Sequence, residues 1–258
     1  MLGARSGGLV LDGAEFAIDE GRPLAERPRL ALLDLDVSPT RTPEEHERHL
    51  LDTFGCGDWI TAGEEELRFS SRDLGLVSAW LSVPVARQED ETSETPQGWA
   101  GRTVVRGRLT ARERAAFRIP PTVSRSCEVD ADALACFVAG DVAADAERLG
   151  VEVAEGLELL FADGRYAGWL LRAPETALGQ GAPVGERDAA LMAWLAAFYT
   201  LTDDEIIAAI ELDEDREALD RLRALRDEID ASDDPWGGRQ ALRSYLSTWI
   251  ETLDDLIS

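Results

Sequence analysis

The apolar pattern of the chain becomes continuously helical from about residue 185, and this change limits the fold more than any other feature. Before it, short apolar runs alternate with turn residues, whereas after it leucines recur at spacings of three and four. The first pattern predicts strands and the second predicts amphipathic helices. We therefore predict an α+β protein with a duplicated domain over 29–175 and an acidic helical region over 185–258.

Residues 29–85 have the pattern of a β-α-β-β-β unit. RLALLDLDV at 29–37 has the length of a strand, and Thr42-Pro43-Glu44-Glu45 is a capping box that predicts a helix over 43–54. Three more strands are predicted, around Trp59-Ile60, in ELRFS at 66–70 and in LVSAWLSVP at 76–84.

A second unit of the same kind is predicted about 90 residues later. Its segments are a strand at 133–140, a helix at 141–150 with an Asp cap and a Gly stop, and strands at 151–154, 157–161 and 166–171. Glu66-Leu67-x-Phe69 matches Glu158-Leu159-x-Phe161, and Trp80 is matched with Trp169. We expect two tandem units forming mixed sheets, with both tryptophans in the core.

Two segments lie outside the units. Residues 1–28 are predicted to form an N-terminal hairpin, turning at Asp12-Gly13, and a linker over 21–28. Residues 86–128 are interpreted as an insertion with a polar, acidic loop at 88–98. Its stretch 101–118 has six arginines and one glutamate, which either neutralise the acidic surface of the chain or contact an anion.

Charge and missing residue types exclude several classes of function. The 51 acidic and 26 basic residues give a net charge of −25, which repels nucleic acid and anionic membranes. The chain contains no lysine, so a Walker A loop and Schiff-base chemistry are excluded. The three cysteines have no C-x-x-C spacing, and no apolar run reaches the length of a membrane span. We expect a reduced, cytoplasmic protein, and the absence of lysine and asparagine suggests a GC-rich bacterial source.

The imidazoles are the candidate catalytic groups. His46 and His49 lie three residues apart on the predicted helix, so they share a face. His46 is the candidate acid or base, and the pair is the candidate metal site, with Cys56 seven residues further on. Cys127 and Cys136 are close in sequence, but a cysteine in an apolar strand usually acts as a small hydrophobe.

A ligand face is predicted from strand alternation. Val77 and Ala79 in one unit, and Tyr166 and Gly168 in the other, fall opposite the predicted core side. Small and apolar residues at these positions predict a concave, apolar surface between the two units.

The stretch 137–171 resembles the vicinal oxygen chelate superfamily, which includes glyoxalases and bleomycin-resistance proteins. It shows the strand, the Asp-initiated helix, the Gly-Val strand and a hairpin through Asp163-Gly164. Enzymes of that family place His or Gln on a first strand and Glu on a last strand. The matching positions here include Ala79 and Gly168, so the resemblance implies the fold without its metal site.

These observations favour binding of a partner over catalysis. We expect a non-catalytic binding protein without a cofactor, similar in role to immunity or adaptor proteins, whose acidic surface attracts a basic protein or peptide. Sequestration of a small apolar ligand is the variant. The alternative is a natural-product tailoring enzyme using His46, or a metal at His46 and His49.

Overall fold

The computed structural model describes residues 8–11, 13–55, 65–85, 94–179, 187–213, 216–232 and 237–257. One sheet has eight strands: β1 (Leu9–Leu11), β2 (Ala14–Glu20), β8 (Thr103–Ala111), β9 (Thr122–Glu128), β10 (Ala133–Val138), β11 (Arg148–Ala154), β12 (Leu157–Ala162) and β13 (Arg165–Arg172). The other has five: β3 (Arg29–Leu30), β4 (Asp34–Val37), β5 (Thr53–Gly55), β6 (Glu66–Ser70) and β7 (Leu76–Ser82). The α-helices are α1 (Pro43–Asp52), α2 (Ala189–Leu201), α3 (Asp204–Asp213), α4 (Arg216–Asp230) and α5 (Gly238–Ile257). The predicted α+β class with a C-terminal helical region is confirmed.

Six strands of the larger sheet close into a ring. The order is β1-β2-β8-β11-β12-β13, and β1 returns to β13 through a parallel pairing of Val10 with Arg165. β10 pairs with β13, and β9 extends the sheet beyond β10. The predicted N-terminal hairpin is therefore part of this barrel, and the segment interpreted as an insertion supplies β8 and β9.

The two sheets share one apolar core. Phe16 on the barrel and Phe69 on the five-stranded sheet have ring centroids 5.2 Å apart, and both rings contact Phe117. The amide of Ala111 also donates to the carbonyl of Leu74 across the sheets. One face of the five-stranded sheet is consequently buried against the barrel.

Four strands of each predicted unit repeat the same order. The first unit has the order β4-β7-β6-β5, and the second has β10-β13-β12-β11, with antiparallel pairing throughout. Both hairpins also shift register at the same place, between Arg68 and Phe69 in one and between Leu160 and Phe161 in the other. The match of Glu-Leu-x-Phe is thus reproduced in the structure.

The prediction of a second helix over 141–150 is wrong. Residues 141–147 are irregular, and Arg148, Leu149 and Gly150 belong to β11. A Cβ on Gly150 would lie 2.2 Å from Oε2 of Glu158, so this glycine makes room for a buried carboxylate and does not end a helix. The irregular segment is tied to the next turn, because Glu147 and Asp163 exchange hydrogen bonds.

The match of the tryptophans is also wrong. Leu67 pairs with Ala79, whereas its equivalent Leu159 pairs with Trp169. Trp80 is therefore offset by one residue from Trp169, and a one-residue offset places a side chain on the opposite face of a strand. Trp169 is fully buried, whereas Trp80 is 47% exposed.

The first unit departs from prediction at two further points. The stretch 29–37 is not one strand, because Leu32 takes a left-handed φ of 65° and turns the chain between β3 and β4. The capping box of α1 is confirmed, but the helix ends at Asp52 and residues 53–55 form β5. The strand predicted around Trp59-Ile60 and most of the loop predicted at 88–98 lie outside the described residues.

The helical region docks on the sheet through Arg125. This buried guanidinium donates to the carbonyl oxygens of Pro84, Tyr199 and Thr202, at 2.7 to 2.9 Å. It also lies 5.0 Å from the centroid of the Tyr199 ring. Thr202 ends α2 and donates its hydroxyl to the carbonyl of Phe198.

The arginines of 101–118 partly serve to neutralise acids within the chain. Arg102 forms a bidentate ion pair with Glu158, with N–O distances of 2.6 and 2.7 Å, and both side chains are buried. Arg108 pairs with Asp73 at 2.7 Å.

Among the described residues, no helix is long and apolar enough to cross a membrane.

Replacing Arg125 with Leu should destabilise the protein by about 3 kcal/mol, because two buried carbonyl oxygens and one partly buried carbonyl oxygen would lose a charged donor. Urea unfolding followed by circular dichroism measures the change, and amide exchange in α2 should accelerate. Arg165→Leu, at an exposed arginine, is the control, with an expected loss below about 0.5 kcal/mol. Equal losses in the two variants would contradict this role of Arg125.

The net charge of −25 predicts that salt stabilises the fold. Repulsion among the acids weakens as the screening length falls from about 30 Å at 0.01 M to about 3 Å at 1 M salt. The melting temperature should rise steeply with potassium chloride up to a few tenths molar. Sucrose, an uncharged solute, is the control, and a melting temperature insensitive to low concentrations of salt would refute the prediction.

Candidate functional site

A polar pocket lies on the outer face of the five-stranded sheet. Its volume is about 560 Å³, within the range of sites for small molecules. The lining combines hydroxyl, imidazole, indole and charged groups, from Arg29, Ala31, Asp34, Asp36, Ser38, Thr40, Arg41, His46, His49, Glu66, Arg68, Ser78, Ala79 and Trp80.

Strand register explains why these side chains meet. Arg29 pairs with Asp36, Asp36 with Trp80, and Trp80 with Glu66, so the four residues form one row across β3, β4, β7 and β6. The neighbouring row contains Ser78, which pairs with Arg68. Residues between these rows face the core, because successive side chains of a strand point to opposite faces.

Trp80 occupies the middle of this face. Its indole N–H donates to Oδ1 of Asp34 at 3.2 Å, and its ring is 47% exposed. The expectation that Trp80 is a core residue is wrong, since Ala79 and Leu81 on either side are the residues that face the barrel. The alternation of Asp34 and Asp36 with Leu35 and Val37 was the sequence signal for a polar outer face.

Helix α1 forms one rim of the pocket. None of its residues is buried, so it is held mainly by polar contacts. Nε2 of His49 is 2.8 Å from the hydroxyl oxygen of Ser78, and the Arg68 guanidinium donates to the carbonyl of Leu50. Burial, followed by the nearby charge of Arg68, lowers the pKa of His49 below 6.5. The imidazole is therefore mainly neutral at pH 7.

Four of the charged side chains are already paired with one another. Arg29 binds Asp36, and Arg68 lies 3.1 Å from Glu66. Asp34 and Arg41 have no ion-pair partner among the side chains that the structure describes. The pocket thus offers one carboxylate and one guanidinium for an external ligand.

The four residues predicted to bind a ligand do not come together. Ala79 contributes to the floor of the pocket but is 2% exposed, and Val77 borders a separate pocket with Arg108. Tyr166 is buried in the core. Gly168 has a φ of 138°, and a Cβ there would lie 2.1 Å from the Cys136 carbonyl, so the glycine permits close approach of β10. Ala79, Tyr166 and Gly168 are therefore buried, whereas Val77 is half-buried at the separate pocket.

The candidate imidazoles line the pocket, whereas the structure does not support a metal site or a reactive cysteine. His46 and His49 both line the pocket, as an acid–base role requires. Within the described ranges, no three His, Cys, Asp or Glu side chains are grouped to hold a metal ion. Cys56 lies outside those ranges. Burial raises the pKa of the Cys127 and Cys136 thiols, so neither is an activated nucleophile.

A buried carboxyl group lies apart from the pocket. Glu65 is 3% exposed and accepts hydrogen bonds from the hydroxyls of Thr122 at 2.7 Å and Tyr166 at 3.4 Å. Burial raises its pKa from 4.5 to about 7, against the opposing effect of these hydrogen bonds. The carboxyl therefore keeps its proton in the fold under conditions where the unfolded chain loses it.

Comparison of the chain with models of protein families, with curated proteins and with solved structures finds no match. The resemblance to the vicinal oxygen chelate superfamily therefore stays a prediction.

The raised pKa of Glu65 predicts how stability changes with pH. Between about 4.5 and 7 the folded chain binds more protons than the unfolded chain, so this group lowers the free energy of unfolding as pH rises through that window. Glu65→Gln should remove this pH dependence. Its free energy of unfolding relative to wild type should therefore be up to about 3 kcal/mol higher at pH 8 than at pH 5. Chemical denaturation at both values measures it, with the exposed Glu20→Gln as control. A difference between wild type and Glu65→Gln that does not change with pH would contradict the assignment.

Proposed function

We propose that this chain is a binding protein for a small organic cation, which it holds over the Trp80 ring. The observation that carries the proposal is the half-exposed indole at the centre of a pocket, with a carboxylate hydrogen-bonded to its N–H. Exposed tryptophan faces attract cations because the ring quadrupole is negative above its plane.

The surrounding charges support a cationic ligand. Asp36 and Glu66 flank Trp80 on the adjacent strands, and Asp34 bonds to its indole N–H. Asp36 and Glu66 are compensated by arginines, so Asp34 is the group that would neutralise a ligand charge. The net charge of −25 would also raise the local concentration of cations and accelerate their association.

The pocket distinguishes this proposal from the partners expected from sequence. A small apolar ligand fits less well, because it would leave the charges of Asp34 and Arg41 in the lining without a partner. A basic protein or peptide could present one cationic side chain to Trp80, but a concave site of about 560 Å³ favours a separate small molecule. We therefore commit to the small cation and treat a basic peptide as an outcome to be tested.

An enzyme is the second candidate, and one contact favours it. Nε2 of His49 lies 2.8 Å from Oγ of Ser78 in the pocket, and the lowered pKa leaves this imidazole able to accept a proton. The catalytic imidazole would then be His49, with His46 beside it, in place of the predicted role of His46 alone.

Calorimetric titration with choline and with its neutral isostere 3,3-dimethylbutan-1-ol tests the proposal. Choline should bind and the isostere should not, because only choline carries the charge. Trp80→Leu should weaken choline about tenfold, which corresponds to roughly 1.4 kcal/mol. Asp34→Asn should also weaken choline and reduce the dependence of binding on salt.

The controls are Trp194→Leu and Asp227→Asn, which change the same residue types on the helical region, away from the pocket. Equal binding of choline and the isostere, or of wild type and Trp80→Leu, would overturn the proposal. Binding of an arginine-rich peptide but not choline would favour a protein partner instead. Proton NMR of the same mixtures reports chemical change of the probe, and such change, if lost in His49→Gln, would establish the enzyme.

A further inference from the structure

The pocket places its two available charges at opposite ends. β4 and β7 run antiparallel, with Asp34 opposite Ser82, Asp36 opposite Trp80 and Val37 opposite Ala79. Asp34 is therefore at the Ser82 end of the pocket. Ser38, the next residue after Val37, lies at the other end, towards Ser78.

Arg41 is anchored at that second end. Its Nη1 donates to the carbonyl oxygens of Ser38 at 2.7 Å and Thr40 at 3.1 Å. No other side-chain hydrogen bond of this guanidinium is formed within the described part of the chain. Nε and Nη2 are thus available, and an arginine presents these groups to a carboxylate in a fixed, fork-like geometry.

Arg29 is paired with Asp36, and two further basic groups of the pocket are also engaged. Arg68 is 9% exposed and donates to Thr53 and to the carbonyl of Leu50. His49 contacts Ser78 and has a lowered pKa. His46 is half-buried and also lines the pocket. Arg41 is consequently the permanent positive charge that an incoming anion would meet.

Strand geometry gives the separation of the two ends. Trp80 and Ser78 point to the same face and are two residues apart, which corresponds to roughly 7 Å along a strand. The cation over Trp80 and an anion bound by Arg41 would be separated by a similar distance.

We infer that the ligand is a zwitterion, with an ammonium group over Trp80 and a carboxylate at Arg41, its charges about 7 Å apart. This inference rests on the proposed function, because it takes the cation at Trp80 as given and adds the second charge. It identifies Arg41 as the residue that determines specificity between zwitterions and simple cations.

Three probes test it by calorimetry: 5-(trimethylammonio)pentanoate, its methyl ester and glycine betaine. The ester keeps the cation and the chain but lacks the anion, and glycine betaine has both charges at a shorter spacing. The long zwitterion should bind about tenfold more tightly than either other probe. Arg41→Gln should remove the advantage of the zwitterion over the ester.

Arg48→Gln is the matched control, since Arg48 is an exposed arginine of α1 outside the pocket lining, and it should leave all three affinities unchanged. Ester and zwitterion binding equally would overturn the inference while the proposed function stands. Glycine betaine binding as tightly as the longer probe would overturn the spacing. An equal loss for ester and zwitterion in Arg41→Gln would show a structural role for Arg41. Failure of all three probes would count against the proposed function itself.

Discussion

Burial of one face of the five-stranded sheet against the barrel determines which side chains remain for function. Leu35, Val37, Leu67, Ala79 and Leu81 are committed to the shared core. Because side chains alternate along a strand, their neighbours point to the outer face, where α1 covers Ser78 and Arg68 and Trp80 stays half-exposed. The outer face therefore receives the aspartates of β4, Ser78 and Trp80 of β7, and Arg68 of β6 without any dedicated loop. The candidate site is a consequence of the packing that stabilises the fold.

Local patterns predicted much of this arrangement. The capping box of α1, the hairpin at residues 8–20, the strands at 66–70 and 76–84, and the buried leucines of α4 were all readable from spacing and turn chemistry. Each of these depends on contacts within a few residues.

The errors came from contacts that are distant in sequence. Gly150 has the signature of a helix end, yet it faces the carboxylate of Glu158, which is bound by Arg102 from the segment just before β8. Trp80 was matched with Trp169 by residue type, whereas register, set by the loops of the two hairpins, matches it with Leu170. Strand alternation identified a second face, but which face was buried depended on where the barrel lies.

Exclusive use of arginine gives the acidic chain its buried polar contacts. Arg102 binds one carboxylate through two nitrogens, and Arg125 bridges three carbonyl oxygens from two separate segments. Both tasks require a planar group with several donors, and a single ammonium does not supply the same geometry. The arginines thus connect parts of the fold that the apolar core alone would leave less fixed.

Helix α1 borders the pocket and yet has no buried residue. Substitutions on this helix carry little folding penalty, whereas substitutions on the strands beneath it disturb the shared core. Ligand preference in descendants of this chain can consequently diverge through one surface helix while the scaffold stays constant. A library randomised only at the pocket-facing positions of that helix is the natural starting point for changing what the protein recognises.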